Sequence, residues 1–525
     1  MAESKIDSVA PGYQRMADTH WDLITALEGG TPAMRQASRK GGGGAYWVGL
    51  PGAGGDADFL PALEKEEPAD WEKRLQMTFL HPGFSKGVTR ISAKPFGKKL
   101  VVHEEEKLDP RLRALIDDTD GQGKSLHALA RELMQDGWSR GLFHIGVDLP
   151  RPSKAATSRQ DELTLKPRIF RIKPVNLINW PHEIDSNGNI KLQQIRFREN
   201  ATVVDRWDMK EVERIRVWNA DRTWSIHEKR KTGESEESER WEEVDGGALT
   251  FPDGIPLITR YFNQTGFMEA ESPFADVAWL NLAHWQSSSR QRWYLDFARF
   301  SFLFGRGIGK NEMQGKVVLS PQTLLTAQNP QAELMVVEHQ GHAIESGQND
   351  LDDLERRMDE ASLKPMQTKG GTPTAAARWL DEASVSCDAA ACVMEVETAL
   401  TDALHMAGRW IGKVVPDEVE VKLPGDVLMR RNAEDMEHVF GAYDRGAMDD
   451  LTLLQEMQDR GIVGDRISPE EILKRMAEQK PDSDATLEGV GGSRRMLVTL
   501  QRKGLIAADA DVDAILDQMD GMEAA

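Results

Sequence analysis

Cysteine is almost missing from this chain: 525 residues carry two, Cys387 and Cys392. A disulfide framework is therefore excluded as the source of stability. Five apart in one expected helix, the two thiols point to different faces, so they read as small core residues rather than a bridge or a metal pair. Long apolar runs are missing too. No stretch approaches the roughly 18 residues that a membrane-spanning helix requires, and the opening MAESKIDSVAPGYQRM has no apolar core of a signal peptide. Synthesis and folding in a cytoplasm are expected. Positive charge is the third shortage. Against 86 acidic residues stand 65 basic ones, a formal net charge of -21. Tight nonspecific binding to nucleic acid, which rests on neutralising phosphates with Lys and Arg, is disfavoured. Passage of nucleic acid remains compatible, because a repulsive wall lets a polyanion slide without sticking.

What is present is the composition of a folded protein, 40% hydrophobic and 29% charged, over a length that accommodates several domains. The most informative stretch is 272 to 413. Ser272-Pro273 offers a hydroxyl N-cap followed by the one helical position where proline fits. Apolar spacing of three and four then runs through Phe274, Ala278, Leu282, Trp285, Ser289, Trp293, Phe297, Phe300 and Phe304, which predicts a helix of roughly 50 Å. From Asp350 to Met366 a narrower seam, Leu351, Leu354, Met358 and Ala361, is flanked by charges and suits a helix packed against similar helices. Pro365 and the Gln-Thr-Lys-Gly-Gly run at 367–371 force a loop, each glycine costing about 1 kcal/mol relative to alanine. Thr372-Pro373 restarts a helix with two stripes. One holds Leu380, Ala383, Cys387, Ala390 and Met394; the other holds Val393, Val396, Leu400, Leu404, Ala407 and Ile411. Such a helix is expected to lie buried between layers.

Around this centre, residues 1–40 read as one or two short helices and 41–55 as a Gly-rich linker. Trp71, Leu75 and Phe79 mark a helical face, and Leu126, Leu129, Leu133 and Met134 another that leads into a strand at 142–150. From 165 to 262 the period shifts toward two, predicting short strands. A small mixed α/β insert is expected at 305–347. Beyond 424 the pattern is helical, and LQEMQDRGIV (454–463) aligns with LVTLQRKGLI (497–506). These are either copies of one helical hairpin or unrelated hairpins with similar turns. The fold class expected is α+β, mainly helical.

Motifs for chemistry fail on inspection. GFSKG (83–87) has the nucleophile-elbow pattern, but a helical segment ends at Pro82 and VTRISAKPF behind it reads as extended, the reverse of what Ser85 needs. DTDGQGKS (118–125) imitates a phosphate loop with Asp118 where the first glycine belongs, so a turn capping the next helix is expected. The acidic turns at 116–121 and 183–188 lack calcium ligands at required positions. The 12 histidines include no HExxH and no Cys/His cluster, and His103-Glu104-Glu105-Glu106 reads as a solvated face. No catalytic residue, cofactor or metal is expected.

The order of several segments resembles the portal proteins of tailed bacteriophages: FLPALEKEEPADWEKRL (59–75), KPVNLINW (173–180), SPFADVAWLNLAHWQSS (272–288), VVEHQGHAI (336–344), DLDDLERRM (350–358) and TPTAAARW (372–379). The resemblance implies a flexible N-terminal region at 1–58, an α/β wing at 59–271 and stem helices at 272–304 and 348–366. It also implies a clip at 305–347, a tunnel loop at 367–373, a long wing helix and strand at 374–430, and a helical crown at 431–525. Leu351, Leu354, Met358 and Ala361 would then face neighbouring subunits. Lys364, Gln367, Thr368, Lys369, Gly370 and Gly371 would face DNA.

The family implies a homododecameric ring at one capsid vertex, in the virion after assembly in the host cytoplasm. Double-stranded DNA passes through it during packaging and ejection. Implied partners are the terminase large subunit, a head–tail adaptor, and the major capsid and scaffolding proteins, with no membrane. Two other readings stand beside it: a nucleotide-using packaging enzyme centred on DTDGQGKS, and a capsid adaptor or scaffold without a channel.

Overall fold

The structure, a computed structural model, describes residues 5–40, 59–63, 66–150, 165–231, 239–298, 302–306, 333–337, 342–363, 375–423, 433–459 and 469–478. Its contacts divide the chain into two units, Met1–Pro424 and Gly425–Ala525. Helices and strands intermix along the first, and the fold is α+β.

The first unit opens with helix α1 (Pro11–Met16), a π-helical turn (Ala17–Trp21), α2 (Asp22–Glu28) and α3 (Gly30–Lys40). Trp21, Ile24, Leu27 and Met34 are buried, so within the segment expected to be flexible, residues 11–40 are helical and packed. Next come α4 (Pro68–Met77), α5 (Gly83–Ala93), α6 (Pro110–Asp117) and α7 (Leu126–Arg140). VTRISA, expected to be extended, belongs to α5, because Phe84, Val88 and Ile91 align at helical spacing on a buried face. Helix α7 stops at Gly141 with φ +83°, where a Cβ would stand 2.1 Å from the carbonyl oxygen of Glu271. Only glycine fits that turn.

Strand Leu142–Asp148 then enters the centre of a three-stranded antiparallel sheet, between Leu257–Tyr261 and Arg168–Ile172. Its Leu142, Phe143, Ile145 and Val147 are fully buried. A second antiparallel sheet has five strands in the order Glu239–Ala248, Thr223–Lys231, Asp208–Asn219, Gln194–Asp205, Leu177–Asn179. Both sheets draw on the period-two stretch of the sequence.

Helices α8 (Ala275–Ala298) and α9 (His342–Leu363) follow. Hydrogen bonds join Ser287 to Asp350 and Gln291 to the carbonyl of Ile344, so the two run antiparallel. Helix α8 is shorter than the apolar spacing predicts: Phe302 and Phe304 lie on strand Phe302–Arg306, opposite Val337 and Met335 of strand Glu333–Val337. Helix α9 starts at His342, inside the stretch expected to be the insert.

Helix α10 (Ala375–Trp410) buries Val393, Val396, Leu400, Leu404 and Ala407, whereas Met394 is 63% exposed. It is covered on one side, not two, over the part whose side chains are described. The covering layer is the three-stranded sheet: Trp410 Nε1 donates to the Val147 carbonyl at 3.1 Å and Arg260 to Asp402 at 2.6 Å.

The second unit contains α11 (Ala433–Asp444), α12 (Asp450–Asp459) and α13 (Pro469–Glu478), with Leu453, Leu454, Met457 and Ile472 buried. The second copy of the suspected repeat lies outside the described residues. Among the described residues no helix is long and apolar enough to cross a membrane.

Candidate functional site

Helix α8 carries a buried stripe that is polar: Asn281, His284, Ser288 and Gln291, at steps of four and three. Buried polar groups require partners, and the partners of this stripe build a site. Asn281 Nδ2 donates to the His81 carbonyl at 2.9 Å, while its Oδ1 accepts from the Phe84 N–H at 2.9 Å. The loop between α4 and α5 is thereby fixed on α8. On the other flank, α9 closes over α5 at two glycines one turn apart. A Cβ on Gly83 would stand 2.8 Å from Met358 Sδ, and one on Gly87 2.8 Å from Ser362 Cβ.

Between these clamps three side chains converge. His81 Nδ1 lies 3.3 Å and His284 Nε2 3.2 Å from the same oxygen, Glu355 Oε1. The imidazole centroids are 5.0 Å apart, and one ligand atom from each residue lies within 4.8 Å of the other two. Asn281 sets His81 from one side, and Met358, one turn beyond Glu355, sets the register of α9 from the other. Burial, with His81 close by, pushes the His284 pKa below its ordinary value against the pull of Glu355. The three residues border a cleft of about 490 Å³, lined also by Phe79, Arg292, Gln348 and Leu351. Arg35 and Arg292 each lie over the Phe79 ring, at 5.2 and 5.0 Å, so its exposed face is shared with two cations.

Two imidazole nitrogens and a carboxylate oxygen form a donor set suited to a divalent transition metal. The sequence expectation of no metal site missed this cluster, whose members sit on a loop and two helices far apart in the chain. The usable signal was the polar stripe on a helix otherwise patterned for burial.

The motifs set aside on sequence grounds have structural employment. Ser85 donates to the Leu27 carbonyl at 3.4 Å, and the glycines of GFSKG are the two that admit α9. In DTDGQGKS, Asp118 Oδ1 accepts from the N–H groups of Gly121 and Gly123 at 2.8 and 2.9 Å. Those bonds, with burial opposing, hold its carboxyl below the usual range. The loop wraps a carboxylate of its own where a phosphate loop would wrap a ligand. Lys124 pairs with Glu132 at 3.1 Å and Ser125 caps α7. Cys392 is a buried thiol of α10.

Of the seam residues on α9, Leu351 and Met358 are buried within the single chain, while Leu354 and Ala361 are half-buried. Intrachain packing therefore takes up half of the expected subunit seam. Lys364, Gln367, Thr368, Lys369, Gly370 and Gly371 lie outside the described residues.

A family model described as "Domain of unknown function (DUF4055)" matches residues 273–411, the span from the start of α8 to the end of α10. No curated protein matches the chain. Among solved structures, similar chains occur in "Neck of empty GTA particle computed with C6 symmetry", at 13% identity and TM-score 0.33, covering 73% of this chain and 90% of that one. Another occurs in "Virion of native gene transfer agent (GTA) particle", at 14% identity and TM-score 0.35, covering 74% and 91%. A third, in "Neck of native GTA particle computed with C12 symmetry", has 13% identity and TM-score 0.33, covering 80% and 97%. Likeness at these scores carries no argument about function.

Proposed function

We propose that this chain is a portal-type subunit of a phage-like particle. Copies close into a ring of about twelve at one vertex, around a channel for double-stranded DNA, through heterologous contacts that return on themselves. The terminase large subunit and a head–tail adaptor dock on the ring, which does no chemistry of its own.

The observation that supports this reading is the order of elements across 275–410. Helix α8, a strand pair, helix α9 and the 36-residue α10 follow the order that the resemblance implies for stem, clip, stem and long wing helix. The net charge of -21 suits a wall past which DNA slides. Lys364 and Lys369 are the proposed contacts with its backbone, and Gly370 and Gly371 let the loop shift as the duplex moves.

Native mass spectrometry of the purified chain tests the ring. A closed assembly of identical copies is expected, and a monomer at concentrations where a particle component assembles overturns the proposal. A Lys369→Ala, Gly370→Ala and Gly371→Ala series in a packaging assay tests the loop. Unchanged packaging by an intact ring removes the DNA-facing role.

A further inference from the structure

We propose that His81, His284 and Glu355 hold one divalent transition-metal ion of the zinc class, and that this ion fastens the loop between α4 and α5 to the α8–α9 hairpin. The inference does not depend on the ring.

His284 Nε2 is within hydrogen-bond distance of Glu355 Oε1 at 3.2 Å and His81 Nδ1 lies 3.3 Å from it, both longer than the roughly 2.7–2.9 Å of a charge-assisted N–H···O bond. Two ligands each about 2.0 Å from a tetrahedral ion stand about 3.3 Å from one another. Glu355 Oε1 has that spacing to both histidine nitrogens. The third separation, within 4.8 Å, requires a small turn of the half-buried His81 ring. His284 is held in α8 and needs none.

The surroundings are built for the purpose. Asn281 makes two hydrogen bonds to the backbone of the His81 loop, and Gly83 lets Met358 seat α9 so that Glu355 meets both rings. They fix the backbone that carries the ligands, as outer supports do in metal centres, where their loss commonly weakens affinity about 10–100-fold; the other ring nitrogen of His284, Nδ1, is buried without a hydrogen-bond partner. The donor set of two imidazoles and one carboxylate is borderline in softness, which suits zinc or a neighbouring ion and disfavours calcium or magnesium, which take oxygen ligands. All three ligands line the cleft, so a fourth coordination position would be left to water. Glu355, the one carboxylate among the described residues in contact with both imidazoles, is itself a ligand. With no second base on the ion, the site's work is fastening.

The test uses the full chain, purified without a polyhistidine tag and stripped with a chelator, then titrated with zinc against a chromophoric competitor. Bound metal is counted by mass spectrometry of the eluted ion. One ion per chain is expected, with a melting temperature that climbs with zinc concentration. Cobalt in its place should show visible bands of a four- or five-coordinate N/O site. Glu355→Gln and His81→Asn, both at partly exposed positions, should fold as the parent does and bind zinc at least about 100-fold more weakly. Asn281→Ala should weaken binding about tenfold or more. No zinc uptake by the parent chain overturns the proposal. Retention of parental uptake by both ligand variants overturns it as well, because the metal would then sit elsewhere. Should a variant fail to fold, the parent's stoichiometry and cobalt spectrum decide.

Discussion

Arg74→Met measures how firmly the body of the fold grips α8. The Arg74 side chain, 1% exposed, meets both oxygens of the Glu66 carboxylate, itself 4% exposed, at 2.7 Å. It also donates to Ser289 Oγ at 3.0 Å and to the Pro61 carbonyl at 2.9 Å. Methionine fills much of the volume and removes the charge, leaving Glu66 with the Leu63 N–H at 2.8 Å. Removing one partner of a buried pair costs about 3–5 kcal/mol, a large part of the roughly 5–15 kcal/mol that holds a domain. The double variant Arg74→Met/Glu66→Leu replaces both ions with apolar groups and should regain most of that loss. Acidity supplies a second readout. Burial works to raise the Glu66 carboxyl, but Arg74 and the Leu63 N–H outweigh it and hold its pKa below its ordinary value of 4.5. The native pair therefore contributes fully above about pH 4.5, and its contribution is lost as pH falls through the lowered value. In the single variant burial acts without Arg74, so Glu66 takes up its proton at milder acidity. The deficit against the parent should then shrink between about pH 7.5 and pH 5. Urea unfolding followed by circular dichroism, at matched low protein concentration, gives all three numbers. A single-variant loss under about 1 kcal/mol, the range of exposed pairs, or a double variant no better than the single, refutes the reasoning.

Other consequences follow from buried histidines and close glycines. Burial lowers the pKa of His144 to about 3, and burial with Arg140 nearby lowers that of His20 to about 4. Between those values and the ordinary 6.5 of histidine the unfolded chain binds the extra protons, so stability should fall as pH drops through that window. At pH 5 the loss is about 2 kcal/mol for each residue, and a urea midpoint that stays flat from pH 7 to 5 contradicts it. Gly141→Ala forces a Cβ onto the Glu271 carbonyl oxygen in the left-handed region. It should cost about 2 kcal/mol or more, read as a lower melting temperature. Gly87→Leu should wedge α9 off α5, where Ser362 and the Phe274 ring crowd the site; a melting temperature equal to the parent's disproves that packing.

Where the sequence carries a local period, the fold was legible. The face of α7, the buried stripe of α10 and the strands between 165 and 262 answer to spacing that water imposes on a chain segment. Legibility failed where a third element decides. Phe304 fits a helical face on spacing alone, and the pairing of Phe302–Arg306 with Glu333–Val337 puts it on a strand. Arg74 and Glu66 lie in a charged stretch, EKEEPADWEKR, whose local pattern does not mark either for burial; Arg74 is buried where it meets Ser289 and Pro61. The His81, His284 and Glu355 cluster has no ligand spacing at all, because three elements deliver one residue each. Met394 marks the converse: an apolar stripe was legible, and the layer to cover it is not supplied by the described chain.

Helix α9 is where chain folding and assembly separate. Met358 is 1% exposed and Leu351 8%, both spent on packing within the chain, whereas Leu354 and Ala361 are half-buried in the single copy. A ring contact through this helix must therefore use the second pair, offset by about one helical turn from the first. Met358→Ala should cost about 2–5 kcal/mol of chain stability through the lost transfer energy and the cavity beside Gly83. Leu354→Gln should leave the unfolding of the dissociated chain within about 1 kcal/mol of the parent and reduce the ring population seen by native mass spectrometry. The two variants thus predict opposite patterns across two assays. If Leu354→Gln destabilises the isolated chain as much as Met358→Ala does, then both residues belong to one intrachain core, and the subunit contact lies on another surface.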